Sequence, residues 1–287
     1  MTSRILDGKP VADAILADAA RRISVASTGT DRGWTVAVLV GGNDPASLLY
    51  ARRIARTCKQ VGLRGMTLQL PADASTDDVV AAIDAWNRDD AICGIVLQLP
   101  LPPHLDQYRI VATVEPEKDL DGAHPSNFGR VALGSGGFAP CTAEAIVELA
   151  RMSGRALAGA RCVVVGRSNI VGKPAALLLL REHATVTVCH TRTRDLGAIT
   201  HQADFVITAV GHPGLITGDM LAPGVVVIDA GTTPTRDGLK GDVDADSAGK
   251  VAAALTPVPG GVGVVTNAIL MRHAADAIES RYEARSA

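Results

Sequence analysis

Between Val163 and Pro174 the sequence reads VVVGRSNIVGKP: a β-branched run, a glycine-bearing turn, then a helix start. Glycine at such a turn lets the backbone approach a pyrophosphate. The helix that follows offers unpaired N–H groups and the positive end of its dipole. The chemistry indicated is dinucleotide binding through Gly166, Arg167 and Ser168. The spacing departs from G-x-G-x-x-G, since Ser168 takes the place of the second glycine and Gly172 comes one position late. An ordinary strand-to-helix turn is the alternative. The next strand narrows the choice. A site for NAD carries Asp or Glu about 20 residues on, to bind the ribose 2′-hydroxyl. Here that strand ends in Cys189, His190, Thr191, Arg192 and Thr193, with no acid. Arg167, Thr191 and Arg192 suit a 2′-phosphate instead, because the guanidinium fork donates two hydrogen bonds at once. NADP is therefore expected over NAD. Arg192 reads equally well as a solvated charge, and His190 as a structural histidine. AVGH (209–212) and DAGTT (229–233) each end a strand with glycine. Ligands sit at strand C-termini in such sheets, so the backbone near Thr232 is expected on the nicotinamide side.

Three further segments hold polar and turn-forming residues with no evident packing role. GIVLQLPLP (94–102) ends an apolar run with Gln98 and two prolines, KDLDGAHP (118–125) mixes charges with turn formers, and TPVPGGVG (256–263) is a Pro/Gly loop. With LDGK (6–9), PAS-x-x-Y (45–50), KD-x-DG-x-HP-x-N-x-G (118–129), PCT (140–142) and GRS-x-IVGKP (166–174), they run in order through nearly the whole chain. In that order they resemble the methylenetetrahydrofolate dehydrogenase/cyclohydrolase family. The resemblance implies oxidation of 5,10-methylenetetrahydrofolate with NADP, and in many members hydrolysis of the methenyl product to 10-formyltetrahydrofolate. It implies two α/β domains with a cleft between them and a homodimer formed through the cofactor domain. Its catalytic positions fall on Tyr50, Gln98 and Asp121. Tyr50 would stack on the folate and Asp121 would accept hydrogen bonds from the pterin. Gln98 would touch the family's lysine, and Pro259, Gly260 and Gly261 would line the pterin pocket.

The family motif Tyr-x-x-x-Lys places that lysine at position 54, where this chain has Ile54. Arg53 lies about 100° around a helix from it, and arginine stays protonated and shuttles protons poorly. Lys59 lies about 140° around by the same geometry. Hydride loss needs alignment rather than proton transfer, whereas hydrolysis of the cation needs both activated water and a moving proton. The expected activity is thus the dehydrogenase, with the cyclohydrolase in doubt. The alternatives are a bifunctional enzyme using another group, a non-catalytic paralogue that binds folate or dinucleotide, and an oxidoreductase for another substrate. Other departures from the family pattern are Ala143, Glu144 and Ala145 after PCT, Val264 and Val265 after PGGVG, and Thr191 in place of serine.

The elements that must position these residues alternate. Strands are expected at 34–40, 65–70, 94–99, 161–166, 184–189, 204–210 and 224–230, with helices at 10–25, 45–61, 76–88, 143–153, 172–182 and 265–284. Short β-branched runs without strict alternation are what parallel strands covered on both faces show. The fold class is α/β with parallel sheets in two domains, the C-terminal one Rossmann-like. The break is expected near LGSGGFAPCT (133–142). That gives a folate-binding catalytic domain of 1–140 plus 268–287 and an NADP-binding domain of 141–267. In a chain of 287 residues with 47% hydrophobic and 3% aromatic content, the core is built from Val, Leu, Ile and Ala. A formal charge of −2 offers nucleic acid no basic excess. No run approaches the roughly 20 apolar residues of a membrane span, and the N-terminus lacks a signal core. The expected location is cytoplasmic. The five cysteines, without a CxxC pair, read as reduced, mostly buried thiols, and no metal site is expected.

Overall fold

The computed structural model describes residues 3–28, 33–43, 45–236 and 238–286. The chain opens with β1 (Arg4–Ile5) and α1 (Lys9–Ala26). A β/α series follows: β2 (Thr35–Val40), α2 (Pro45–Gln60), β3 (Arg64–Gln69), α3 (Thr76–Arg88) and β4 (Ile92–Leu97). Two short helices come next, α4 (Gln107–Thr113) and α5 (Pro125–Leu133), before α6 (Cys141–Met152). The second series is β5 (Arg161–Val165), α7 (Gly172–Arg181), β6 (Thr185–Cys189), α8 (Leu196–Thr200), β7 (Phe205–Thr208) and β8 (Val226–Asp229). It closes with the hairpin β9 (Thr233–Thr235) and β10 (Gly238–Lys240), then α9 (Ala245–Ala248), β11 (Ala254–Leu255) and α10 (Val262–Ser286).

The chain divides into two compact units. One comprises 13–130, 135–139 and 267–287, and the other 1–12, 131–134 and 140–266. The division expected from the sequence differs in residues 1–12 and 131–134, and by one residue at 140 and at 267. The opening residues group with the later segment because β1 pairs in parallel with β11, and the Arg4 guanidinium donates to the carbonyls of Met152 and Ser153.

The first unit holds the parallel sheet β3-β2-β4. Val36, Val38 and Val40 of β2, like every residue of β4, are buried. One core cluster joins Leu39, Ile95 and Leu97 to Val79 and Ile83 of α3 and Ile110 of α4. Helix α3 starts on a capping box: Ser75 Oγ accepts from Asp78 N–H while the Asp78 carboxylate accepts from Ser75 N–H. Helix α2 lies close on β3, since a Cβ at Gly65 would stand 2.6 Å from the Ala55 Cα.

The second unit is a sheet of order β1-β11-β8-β7-β5-β6, and every pairing in it is parallel. Strands β6, β5 and β7 lie in the order 2-1-3, so the chain leaves β5 at a topological switch point. This is the Rossmann-like arrangement expected of the C-terminal half. All five cysteines are free and buried. Burial pushes the thiols of Cys58, Cys93 and Cys162 up to about 12, so they stay protonated and unreactive. No helix among the described residues is long and apolar enough to cross a membrane.

Candidate functional site

In the three-stranded unit the polar motif KD-x-DG-x-HP-x-N is mostly a lock. Lys118 turns inward, 3% exposed, and its Nζ donates to the carbonyls of Trp86 (2.8 Å), Asn87 (2.5 Å) and Asp89 (3.0 Å). These carbonyls end α3, where a cation suits the helix dipole. Burial, with Arg281 nearby, moves its pKa downward. Asp119 is buried and accepts from Ala123 N–H (3.1 Å), His124 N–H (2.8 Å) and Asn127 Nδ2 (2.9 Å). Its pKa is raised by burial, against the pull of those donors. His124 Nδ1 accepts from Ser126 N–H at 3.0 Å, which leaves Nε2 to donate to the Ala112 carbonyl at 3.3 Å.

The same segment runs beside β4. Ile95 N–H donates to the Lys118 carbonyl (2.7 Å) and Leu120 N–H to the Ile95 carbonyl (3.2 Å). The close approach needs Gly94, whose Cβ would sit 2.2 Å from the Leu120 side chain. His273 of α10 holds the far side, with Nδ1 2.7 Å from the Leu120 carbonyl and its ring stacked on Phe138 at 4.8 Å. Asp121 is what this scaffold presents. It stands half-buried, followed by Gly122 at φ 65°. Ile95 bridges Asp119 in parallel, and the chain then turns through Asp121, with Gly122 N–H donating to the Asp119 carbonyl at 3.2 Å. Gln98 is half-buried, its N–H donating to the Leu39 carbonyl at 2.9 Å.

Helix α2 rises from the C-terminal end of the neighbouring strand β2. Tyr50 is half-buried on it, while Ile54, one turn on, is 0% exposed. Arg52, Arg53, Arg56 and Lys59 are all exposed. Thr57 accepts from Asn267 Nδ2 at 2.5 Å.

In the six-stranded unit Gly166 ends β5 at φ 126°, and a Cβ there would lie 2.5 Å from the Ala209 carbonyl oxygen. Gly172, at the start of α7, would put a Cβ 2.2 Å from the Gly166 carbonyl oxygen. Both positions exclude side chains and leave a cradle of backbone. Ser168 shapes the turn: its Oγ accepts from the N–H groups of Val171 (3.1 Å) and Gly172 (3.3 Å). Beyond β6 a second turn is tied by His190. Its N–H donates to Thr193 Oγ1 at 2.8 Å, and its Nδ1 accepts from Arg192 N–H at 3.1 Å. His190 is thus structural. Arg167, Thr191 and Arg192 are exposed, and no acid stands in this turn. These residues fit a dinucleotide with a 2′-phosphate.

Pro259, Gly260 and Gly261 form the loop before α10. Gly8 N–H donates to the Gly260 carbonyl (2.9 Å), and a Cβ at Gly8 would meet the Gly261 carbonyl oxygen at 2.4 Å and Val264 Cγ2 at 2.8 Å. The LDGK start is therefore a support for this loop.

Two buried carboxylates went unnoticed in the sequence. Asp229 Oδ1 accepts from Thr208 Oγ1 (3.0 Å), Gly231 N–H (2.9 Å) and Asp242 N–H (3.1 Å), and its Oδ2 from Val243 N–H (2.9 Å). Burial moves its pKa upward more than these donors lower it. Asp242 in turn accepts from Val210 N–H (2.7 Å) and His212 N–H (2.8 Å). Between them they fix the loops after β7 and β8, including the turn that carries Thr232. GDVD (241–244) was the available signal, an acidic pair beside glycine in a half otherwise read as strand ends.

Comparison with known proteins covers both units. Residues 6–121 match the tetrahydrofolate dehydrogenase/cyclohydrolase catalytic domain, and residues 140–282 match the NAD(P)-binding domain of the same family. The bifunctional protein FolD of Bordetella avium is 48% identical over 280 residues, which is 97% of this chain and 98% of that one. Among solved structures, the bifunctional methylenetetrahydrofolate dehydrogenase/cyclohydrolase of Campylobacter jejuni aligns with a TM-score of 0.93 at 36% identity, covering 97% and 99% of the two chains. The Trypanosoma brucei dehydrogenase-cyclohydrolase, complexed with NADP cofactor and inhibitor, aligns at 0.94 and 36%, covering 98% and 99%.

Proposed function

The chain belongs to the tetrahydrofolate dehydrogenase/cyclohydrolase family, and on that membership we propose that it oxidises 5,10-methylenetetrahydrofolate to 5,10-methenyltetrahydrofolate with NADP. The family match across residues 6–121 and 140–282 carries this reading. NADP, when bound, would supply the hydride acceptor. The residues of the chain bind and orient. Gly166 and the start of α7 receive the pyrophosphate, with Ser168 holding the turn, while Arg167 and Thr191 read the 2′-phosphate. Thr232 flanks the nicotinamide. Tyr50 stacks on the folate, Asp121 accepts hydrogen bonds from the pterin, Gln98 adds a polar contact beside it, and Pro259, Gly260 and Gly261 line the pterin. Domains 1–140 with 268–287 and 141–267 divide these tasks, although residues 1–12 group by contact with the latter.

Alignment suffices for the loss of hydride, so Ile54 leaves the dehydrogenase intact. Hydrolysis needs a group that carries a proton, and a buried isoleucine carries none. A second reading, a fully bifunctional enzyme, is favoured by the name of its 48%-identical relative, the bifunctional protein FolD. It requires a proton carrier other than residue 54. Turnover with methylenetetrahydrofolate and NADP separates the two. The methenyl absorbance is expected to rise with NADPH and then decay no faster than in protein-free buffer. Rapid enzyme-dependent decay to the formyl product favours the bifunctional reading.

The cofactor choice has its own test. Arg167→Ala removes a charge-assisted contact of about 1.5–3 kcal/mol, so KM for NADP is expected to rise about 10- to 100-fold while KM for NAD moves little. Equal losses for both cofactors would mean that Arg167 does not read the 2′-phosphate.

We take the enzyme to be a cytoplasmic homodimer. Five free, buried thiols suit reducing surroundings. A dimer through the cofactor domain is supported by β6, an edge strand of the six-stranded sheet, where Val188 is 39% exposed and Leu180 of the preceding helix 59%. An open edge with apolar side chains is a surface that proteins ordinarily cover.

A further inference from the structure

Asp121 sits in a four-residue β-turn. Gly122 N–H closes it on the Asp119 carbonyl, so Leu120 and Asp121 are its central residues. Asp in the first place and Gly in the last are what a type I turn favours. The described non-glycine residues with positive φ are His183 and Asp195, so Asp121 stays out of the left-handed region and the turn is not type II.

The peptide between the two central residues takes no part in the closing hydrogen bond. Turning that peptide over converts type I into type II. The closing bond survives, while the Leu120 carbonyl and the Asp121 N–H reverse and the Asp121 side chain tilts. The conversion asks the third residue for a positive φ, which most residues resist and aspartate tolerates. The turn by itself therefore leaves Asp121 two orientations.

His273 removes the choice. It is 3% exposed, and its Nδ1 lies 2.7 Å from the Leu120 carbonyl. A carbonyl only accepts, so Nδ1 carries the proton. Phe138 stacks on the imidazole at 4.8 Å with the planes 30° apart, which fixes the direction of that donor. Lys118 ties the segment to the end of α3, and Asp119 ties it to the N–H groups of Ala123 and His124. His273 acts on the peptide that leads into Asp121. We propose that His273 is a positioning residue for the folate: by holding the central peptide of this turn, it aims the Asp121 carboxylate at the pterin. The proposal rests on the reading above, in which Asp121 accepts hydrogen bonds from the pterin.

The test uses the intact protein and three substitutions. His273→Phe keeps a ring against Phe138 and removes the donor. His273→Ala removes both from a helix that alanine favours, and carries the same reading should the larger ring fail to fit. His273→Asn loses the ring but places its Nδ2 donor where Nδ1 stood. KM for methylenetetrahydrofolate is expected to rise about 10-fold in the phenylalanine and alanine variants, the size of one lost buried hydrogen bond. Both kcat and KM for NADP are expected to stay within about 2-fold, as for a loss of uniform binding to one substrate. The asparagine variant is expected to recover most of the loss. In ligand-free protein, the NMR signal of the Asp121 amide is expected to split or broaden in the phenylalanine and alanine variants, as the second form of the turn is populated. It is expected to return to one signal with asparagine. A wild-type KM for the folate without the donor, parallel rises in both KM values, or an asparagine variant no better than alanine would overturn the proposal. So would an Asp121 amide unchanged in all three variants. A wild-type protein that leaves methylenetetrahydrofolate untouched, while its Asp121 amide answers the substitutions as expected, would instead strike the folate reading.

Discussion

Replacing Ile54 by lysine is expected to raise enzymatic hydrolysis of methenyltetrahydrofolate about 10²- to 10⁴-fold, the contribution of a positioned acid–base group. Residue 54 lies one helical turn from Tyr50 and shares its face. It is 0% exposed, among the largest fully buried side chains of the chain. An ammonium there is desolvated, which disfavours its charged form and lowers its pKa. A lysine brought nearer to neutrality exchanges protons with water more readily than one near 10.4. The same burial has a cost. A longer side chain in a filled site costs about 1–3 kcal/mol in overpacking, so thermal stability must be followed beside activity. The check is the decay of methenyl absorbance with the purified variant. A variant that is folded and binds folate yet leaves the methenyl species untouched would clear position 54. The other departures, Ala143, Ala145 and Val264, would then be responsible. Val264 lies beside the start of the chain, its Cγ2 2.8 Å from where a Cβ at Gly8 would stand.

The larger strands were legible as short β-branched runs and the helices as the longer stretches between them. The run TVAVLV became β2 and GIVLQL overlaps β4, within two residues of the expected bounds. Helix α3 covers the expected 76–88, and its start is capped by Ser75 and Asp78. Strands β1 and β11 were not legible, being two residues each. So short a segment has no period, and only pairing with β8 on one side and β1 on the other makes β11 a strand. The motif residues of the first half were legible as a cluster but not in their tasks. Nothing in KDLDGAHP tells that Lys118 turns inward to the end of α3 and that Asp119 ties the loop, whereas Asp121 is the acid left half-buried. That division depends on carbonyls about thirty positions away, as the Lys118 contacts with residues 29 to 32 positions earlier make plain. Asp229 and Asp242 escaped for the same reason. Their partners come from three segments that only the parallel sheet brings together.

That network sets the other large effect. Asp229→Ala is expected to lower stability by about 4 kcal/mol, since each buried donor left without an acceptor costs about 1–3 kcal/mol and water entering the space left behind satisfies some of the four. For a unit of this size the midpoint of thermal unfolding should fall by about 8–16 °C, at 2–4 °C per kcal/mol. Asparagine separates contacts from charge. It relieves the desolvation that moves the Asp229 pKa upward. With its oxygen in the place of Oδ1 it keeps Thr208, Gly231 and Asp242, but its NH₂ then faces Val243 N–H. Asp229→Asn should therefore fall between wild type and alanine, by about 2 kcal/mol for one orphaned donor. Asp229 fixes the turn from Gly231, so KM for NADP should rise in both variants in the same order. Scanning calorimetry and initial rates measure the two quantities. An alanine variant as stable as wild type would mean that the loops after β7 and β8 are held by their own backbone pairing. A stability loss with unchanged KM for NADP would separate the network from Thr232 and the nicotinamide side.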